Sequence, residues 1–251
     1  MTFRPYAFLM LLALGATPPP KNALPSGFVY LSDFAPTVIE DMRYATPHNF
    51  VGAPIAGYDA PKCVLTAAAA RALARVEHDL NDAGLTLRVY DCYRPQRAVD
   101  AMLAWSKNLG DQRTKIAYYP RIDKSQLGHL GYVAARSEHS RGSAVDATIE
   151  RLPVRALPPY DPSAPLHECI APFKERYHDG SLDMGTTFDC FDPLSAMDAD
   201  AGIVAASHRQ ALEAVMHRHG FVGIVGEWWH YRLRWEPYPT TYFNFPITPK
   251  P

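Results

Sequence analysis

The feature that most constrains this chain is a charge in the middle of an apolar strand. The run Ser143–Ile149 reads Ser-Ala-Val-Asp-Ala-Thr-Ile. Strand alternation puts Ala144, Asp146 and Thr148 on one face and Val145, Ala147 and Ile149 on the other. A carboxylate inside such a strand is costly unless it is paired or metal-bound, so the fold must bring a partner to Asp146. His139 precedes it by an odd spacing and would lie on the opposite face of one continuous strand. The Ser140-Arg-Gly142 turn resolves this by folding His139 back.

A second fragment, Glu227-Trp-Trp-His230, lies near the C-terminus. Phe221–Ile224 and Trp228–Trp235 read as strands. Trp228, His230, Arg232 and Arg234 share one face, and Trp229, Tyr231, Leu233 and Trp235 the other. Glu227 has the parity of Trp229 and would point away from His230. For both to serve one site, the strand must begin after Glu227 or carry a bulge there, which Gly223 and Gly226 permit. The two fragments then offer two imidazoles, one carboxylate ligand and one spare carboxylate, a set suited to a zinc ion with an open position.

A hydrolytic zinc site needs a water whose pKa the metal lowers to about 7. It needs a carboxylate to take and return a proton, and a fixed positive group for the oxyanion. His139, Asp146 and His230 can be the ligands, Glu227 the base and Arg94 the oxyanion partner. Taken singly, each fragment also fits a structural reading: hydrogen-bonded core histidines and a glutamate at a strand end.

The remaining chain reads as a frame. Phe28–Leu31 is a candidate edge strand within a Pro- and Gly-rich stretch spanning 22–62. Tyr44 and Tyr58 there read, on composition, as core rings with wet hydroxyls. Thr66 is an N-cap for a helix carrying Leu73, Val76 and Leu80 on one face; Gly84 ends it, and Leu85–Asp91 returns as a strand. Pro95 fits the first turn of the next helix, which places Arg94 at a strand-to-helix junction, although an ion pair with Asp91 fits as well. His129 in a Gly-rich loop reads as ordinary. Residues 151–183 form a long excursion, and Asp189, between two phenylalanines, is either a turn former or a site carboxylate. A helix from about Ala201 to His219 ends at Gly220; His217 and His219 project to nearly opposite sides and do not chelate one ion.

The 251 residues are 47% hydrophobic and 20% charged, with net charge -1, an ordinary globular composition. Near-neutral charge gives no footprint for nucleic acid and no basic stripe for a membrane surface. Arg4 followed by the apolar run Ala7–Leu14 reads as a signal peptide over 1–17, with 18–251 as a single domain, exported and periplasmic. Four cysteines suit an oxidising compartment. A helix and a strand of similar length return Cys92 close to Cys63, which leaves Cys169 with Cys190; the alternative is four buried thiols.

These residues carry a resemblance to the D-alanyl-D-alanine dipeptidases, the VanX-type branch of zinc D,D-peptidases. It rests on Arg43-Tyr-Ala-Thr, Asn49-Phe, Gly57-Tyr58, Asp91 with Tyr93-Arg-Pro, and Ser137-x-His-Ser-Arg-Gly-Ser-Ala-x-Asp146. It continues through Met184-Gly, Phe188-Asp189, Glu227-Trp-Trp-His-Tyr231 and the tail Glu236-Pro-Tyr-Pro. The resemblance implies one Zn2+ per chain on His139, Asp146 and His230, Glu227 as general base and acid, and Arg94 as transition-state stabiliser. It places Asp189 on the substrate ammonium, with Tyr44, Tyr58 and Ser137 lining a pocket for a small D,D-dipeptide. The implied fold is α+β, a small mostly antiparallel sheet flanked by helices, of the Hedgehog/D,D-peptidase type. The chain departs from compact members in its long excursion, in Glu138 beside the histidine and in its export signal, which favours cell-wall peptide turnover or salvage as the setting. Rival readings are a zinc D,D- or L,D-carboxypeptidase acting on peptidoglycan stems and a non-catalytic zinc-binding module.

Overall fold

The computed structural model describes residues 23–250; the expected signal peptide lies outside them. A five-stranded sheet, in the order β2-β4-β5-β7-β6, forms the centre. Its strands are β2 (Ile39–Glu40), β4 (Leu85–Asp91), β5 (Ala144–Arg151), β6 (Phe221–Ile224) and β7 (Glu227–Leu233). Only the β2–β4 pair is parallel. The expected edge strand is β1 (Phe28–Tyr30), which pairs with β3 (Val64–Thr66) in a separate two-stranded sheet. The architecture is mixed α/β, with the antiparallel bias expected.

Helix α1 (Ala67–Asp82) begins where its sequence says it should. The Thr66 hydroxyl accepts from the Ala69 amide at 3.3 Å, and Leu73, Val76 and Leu80 are buried. Burying each such side chain stabilises by about 1.5–3 kcal/mol. Its Glu77 is buried too, satisfied by the Leu87 amide at 2.7 Å and the Thr86 hydroxyl at 2.8 Å, which ties the helix to β4. Helix α4 (Ile203–Arg218) packs against α1 and β6. Helix α2 (Gln96–Lys107) follows Pro95, and a short α3 (Lys115–Tyr118) lies after it in a stretch without helical or strand periodicity.

Cys63–Cys92 and Cys169–Cys190 are both bonded, with Cα atoms 5.3 and 5.6 Å apart. The first ties the end of β4 to the start of β3. The second ties the excursion to the loop that carries Asp189. The excursion itself contains one 3-10 turn, Phe173–Glu175. It is anchored by Asp179, which accepts from Arg43 and the Tyr90 hydroxyl, both at 2.6 Å.

Two irregularities in the sheet decide which side chains face the site. Val89 pairs with Ala147, yet Asp91 pairs with Asp146, so Tyr90 is an extra residue in β4. The bulge turns Asp91 onto the face of Asp146. The β6–β7 register jumps from Gly223↔Tyr231 to Ile224↔Glu227. That is the irregularity the parity of Glu227 demanded, and bulges re-aim side chains in this way next to active sites.

Candidate metal centre and substrate cavity

Asp146 and His230 are directly opposed on β5 and β7, so both side chains leave the sheet on one face. His139 arrives from the 3-10 turn Glu138–Arg141, which closes on Gly142 at φ +80°. A Cβ at Gly142 would stand 2.3 Å from the Phe28 ring, so the turn is closed to larger residues by space as well as conformation. The expected fold-back of His139 is realised.

The three side chains meet at one point. His139 Nε2 lies 3.2 Å from Asp146 Oδ1 and 3.1 Å from His230 Nδ1, and His230 Nδ1 lies 3.1 Å from Asp146 Oδ1. Metal-to-ligand distances of about 2.0–2.1 Å in a tetrahedral site require ligand separations of about 3.3–3.4 Å. The triangle is therefore nearly one face of such a tetrahedron, and its two imidazoles and one carboxylate fit a divalent ion. The rings are also oriented from behind. His139 Nδ1 sits 2.7 Å from the Cys92 carbonyl, and His230 Nε2 sits 3.2 Å from Glu138 Oε2. Without an ion, burial disfavours a charged His230, but the Asp146 and Glu138 carboxylates outweigh it and push the ring up to about 10.

A cavity of about 240 Å³ opens above this triangle, lined by Tyr44, Arg94, Ser137, Asp189 and Glu227 among others. Burial raises the Glu227 carboxyl above its ordinary value, as does nearby Asp146. Arg94 is gripped through Nε by Asp91 Oδ2 at 2.8 Å, and its Nη2 comes within 3.6 Å of Asp146. The ion pair with Asp91 is thus real, and it aims the guanidinium at the site instead of away from it. Asp189 is buried at φ +59°, a conformation that Asp tolerates better than most residues, and accepts from the Tyr44 hydroxyl at 2.9 Å. Burial first, and the Asp146 carboxylate second, hold its carboxyl well above the usual range.

The family model for D-Ala-D-Ala dipeptidase, peptidase M15, matches residues 25–157 and 174–248. The chain belongs to this family. A D-alanyl-D-alanine dipeptidase of Streptomyces coelicolor is 39% identical over 88% of this chain and 98% of its own length. Those of Enterococcus faecium and Enterococcus faecalis are 37% and 36% identical, over 88% and 89% of this chain and 98% and 99% of theirs. The stretch between the two matched blocks, 158–173, is the middle of the excursion.

The structure brings His139, Asp146, His230, Glu227, Arg94, Asp189, Ser137 and Tyr44 to one cavity. Ser137 also accepts from the His139 amide at 3.3 Å and so shapes the ligand turn. Tyr58 stands apart from them. Its hydroxyl donates to Asp91 at 2.6 Å, one layer behind Arg94, and it does not line the cavity. Its spacing from Tyr44 gave no means of separating the two. His129 is exposed, and His217 and His219 lie near Glu213 and Asp79. Sequence reasoning named the Asp91 ion pair only as an alternative to a site role for Arg94; that the pair fixes Arg94 in the site depends on the β4 bulge. It missed the wall from Gly131 to Arg136, which has no periodic signal.

Proposed function

We propose that this protein is a zinc-dependent dipeptidase that hydrolyses free D-alanyl-D-alanine to two D-alanines. The observation that carries this is the set of three ligand atoms 3.1–3.2 Å apart on the floor of a cavity whose walls hold Glu227, Arg94 and Asp189. His139, Asp146 and His230 would hold a zinc ion, which would supply Lewis acidity and a nucleophile near neutral pH. Glu227 takes the proton of the attacking water and returns it to the leaving amine; its raised affinity for a proton suits both roles. Arg94, fixed by Asp91, offers a preorganised positive charge to the oxyanion. Tyr44 contributes its hydroxyl to the same wall and orients Asp189.

Asp189 sets selectivity. A buried carboxylate wants a cation. A free dipeptide brings its ammonium, which favours the ionised carboxylate, whereas an N-acylated peptide brings a neutral amide and leaves the buried carboxyl without a cation. The same argument weighs against a carboxypeptidase working on long stems. Glu227, a non-ligating acid over the triangle, weighs against a purely structural metal module. We read the architecture as that of the Hedgehog/D,D-peptidase type. The two disulfides support an exported, periplasmic setting and a role in cell-wall peptide turnover or salvage.

The test is a panel of D,D-, L,D- and L,L-dipeptides and a pentapeptide stem, with free and blocked amino ends, on zinc-loaded protein. Turnover of free D-Ala-D-Ala without turnover of its N-acetyl form is expected. Comparable rates on the two, or a preference for the stem, refute the assignment.

A further inference from the structure

The turn that delivers His139 carries a second side chain into the metal centre. Glu138 Oε2 lies 3.2 Å from Nε2 of His230, the ring nitrogen away from the ligand triangle. Its other oxygen, Oε1, takes Arg141 Nη2 at 2.9 Å and Arg232 Nε at 3.1 Å. Arg141 in turn is held by Glu236, at 2.9 and 3.0 Å. So a residue adjacent to one metal ligand in sequence grips the other ligand 92 positions away, and two arginines fix its orientation.

The two histidines are supported differently. His139 faces the neutral carbonyl of Cys92, while His230 faces a carboxylate. A ring nitrogen that donates to a carboxylate has its tautomer fixed and its opposite nitrogen made a stronger donor, and removing such a partner weakens metal binding by about 10–100-fold. We infer that Glu138 is a positioning residue for the metal: it locks His230 with Nδ1 toward the ion and clamps the 137–142 turn to β7, so that both imidazoles are held in ligand geometry by one side chain. Arg141 and Arg232 spread its charge and keep it from swinging into the cavity.

The inference rests on the metal reading above, and the experiment separates the two. Zinc affinity is measured by chelator competition, with the rate of zinc loss to excess chelator, for wild type, Glu138→Ala, Glu138→Gln and Arg232→Met. Thermal unfolding of each metal-free protein is recorded alongside. Glu138→Ala is expected to weaken zinc binding by about 10–100-fold and to speed zinc loss. Glu138→Gln, which keeps an acceptor and loses the charge, falls between it and wild type. Arg232→Met, which leaves the His230 contact in place, stays closer to wild type. If both Glu138 variants bind zinc as wild type does and only the metal-free unfolding temperature drops, Glu138 is an ion-pair hub and the inference is overturned. If Arg232→Met weakens zinc binding as much as Glu138→Ala, the ion-pair network is responsible, and the inference is overturned again. If the alanine variant does not fold, the glutamine variant decides. Wild type that takes up no zinc removes the metal reading and this inference together.

Discussion

The floor of the cavity is sheet, and its far wall is loop. On the floor, Asp146 and His230 are neighbours in a hydrogen-bonded ladder, and His139 is pinned by the Gly142 turn and by the Cys92 carbonyl. Both imidazoles have a second contact behind them. On the wall, Asp189 sits in a loop at positive φ, held by the Tyr44 hydroxyl and by the neighbouring Cys169–Cys190 bond. The stretch that the disulfide ties down is largely without regular structure. The difference teaches a division of labour. On the proposed reading, the chemistry stands on backbone that the rest of the fold over-determines, and the choice of substrate stands on a loop held by fewer contacts. The break in the family match, 158–173, contains Cys169, whose bond to Cys190 lies beside Asp189.

That contrast makes ordered predictions. Glu227→Gln is expected to lower kcat by about 10²–10⁴-fold with one metal ion still bound per chain, measured by steady-state kinetics beside metal analysis. A variant that loses the ion instead would make Glu227 part of the floor. Arg94→Met is expected to cost about 10²–10³-fold in kcat, again with metal retained. The loss belongs to turnover and not to KM if the guanidinium meets charge only in the transition state.

Asp189→Asn tests the wall. Removing one member of a buried charge pair costs about 3–5 kcal/mol, so kcat/KM on free dipeptide is expected to fall by roughly 10²-fold or more, while zinc affinity is unchanged. A pH series sharpens the point. Burial keeps the empty-pocket Asp189 carboxyl protonated above the ordinary range, and an ammonium pairs only with its ionised form. KM is therefore lowest on the alkaline side of that raised pKa and rises as pH falls through it. The asparagine variant has no carboxyl to titrate and is expected to lose this dependence; if it keeps it, another group binds the ammonium. The smallest effect is expected from Cys169→Ser with Cys190→Ser. Opening a loop with a sequence separation of 21 removes about 3 kcal/mol of stability and raises KM modestly, with zinc affinity intact. Loss of the metal in this variant would show that floor and wall are not independent.

The same contrast explains what the chain disclosed before it was folded. The floor was legible because strand parity is a strict rule. Asp146 in an apolar strand demanded a partner, and Glu227 out of phase with His230 demanded a bulge, which the β6–β7 register supplies. The helix cap at Thr66 and the Cys63–Cys92 bond were readable for similar reasons, local spacing and element length, whereas Cys169–Cys190 followed only as the pair left over. The wall was not legible, because nothing in the composition of a Pro-rich segment says where it comes to rest. Tyr58 illustrates the limit. It shares with Tyr44 a loop and a side chain, yet one hydroxyl reaches Asp189 in the cavity and the other supports Asp91 behind it. Glu138 illustrates another: it read as an intruding charge, and only the pairing of β5 with β7 reveals that it faces the outer nitrogen of His230.

The most direct measurement is zinc-edge X-ray absorption on the reconstituted protein, paired with the same spectrum for Glu227→Gln. The account predicts one ion per chain in an all-nitrogen-and-oxygen shell, with two imidazoles, the Asp146 carboxylate and a solvent oxygen at about 2.0–2.1 Å, unchanged in the glutamine variant while its turnover is lost. A shell that contains sulfur, a single imidazole, or a protein carboxylate that disappears on substitution of Glu227 would contradict it.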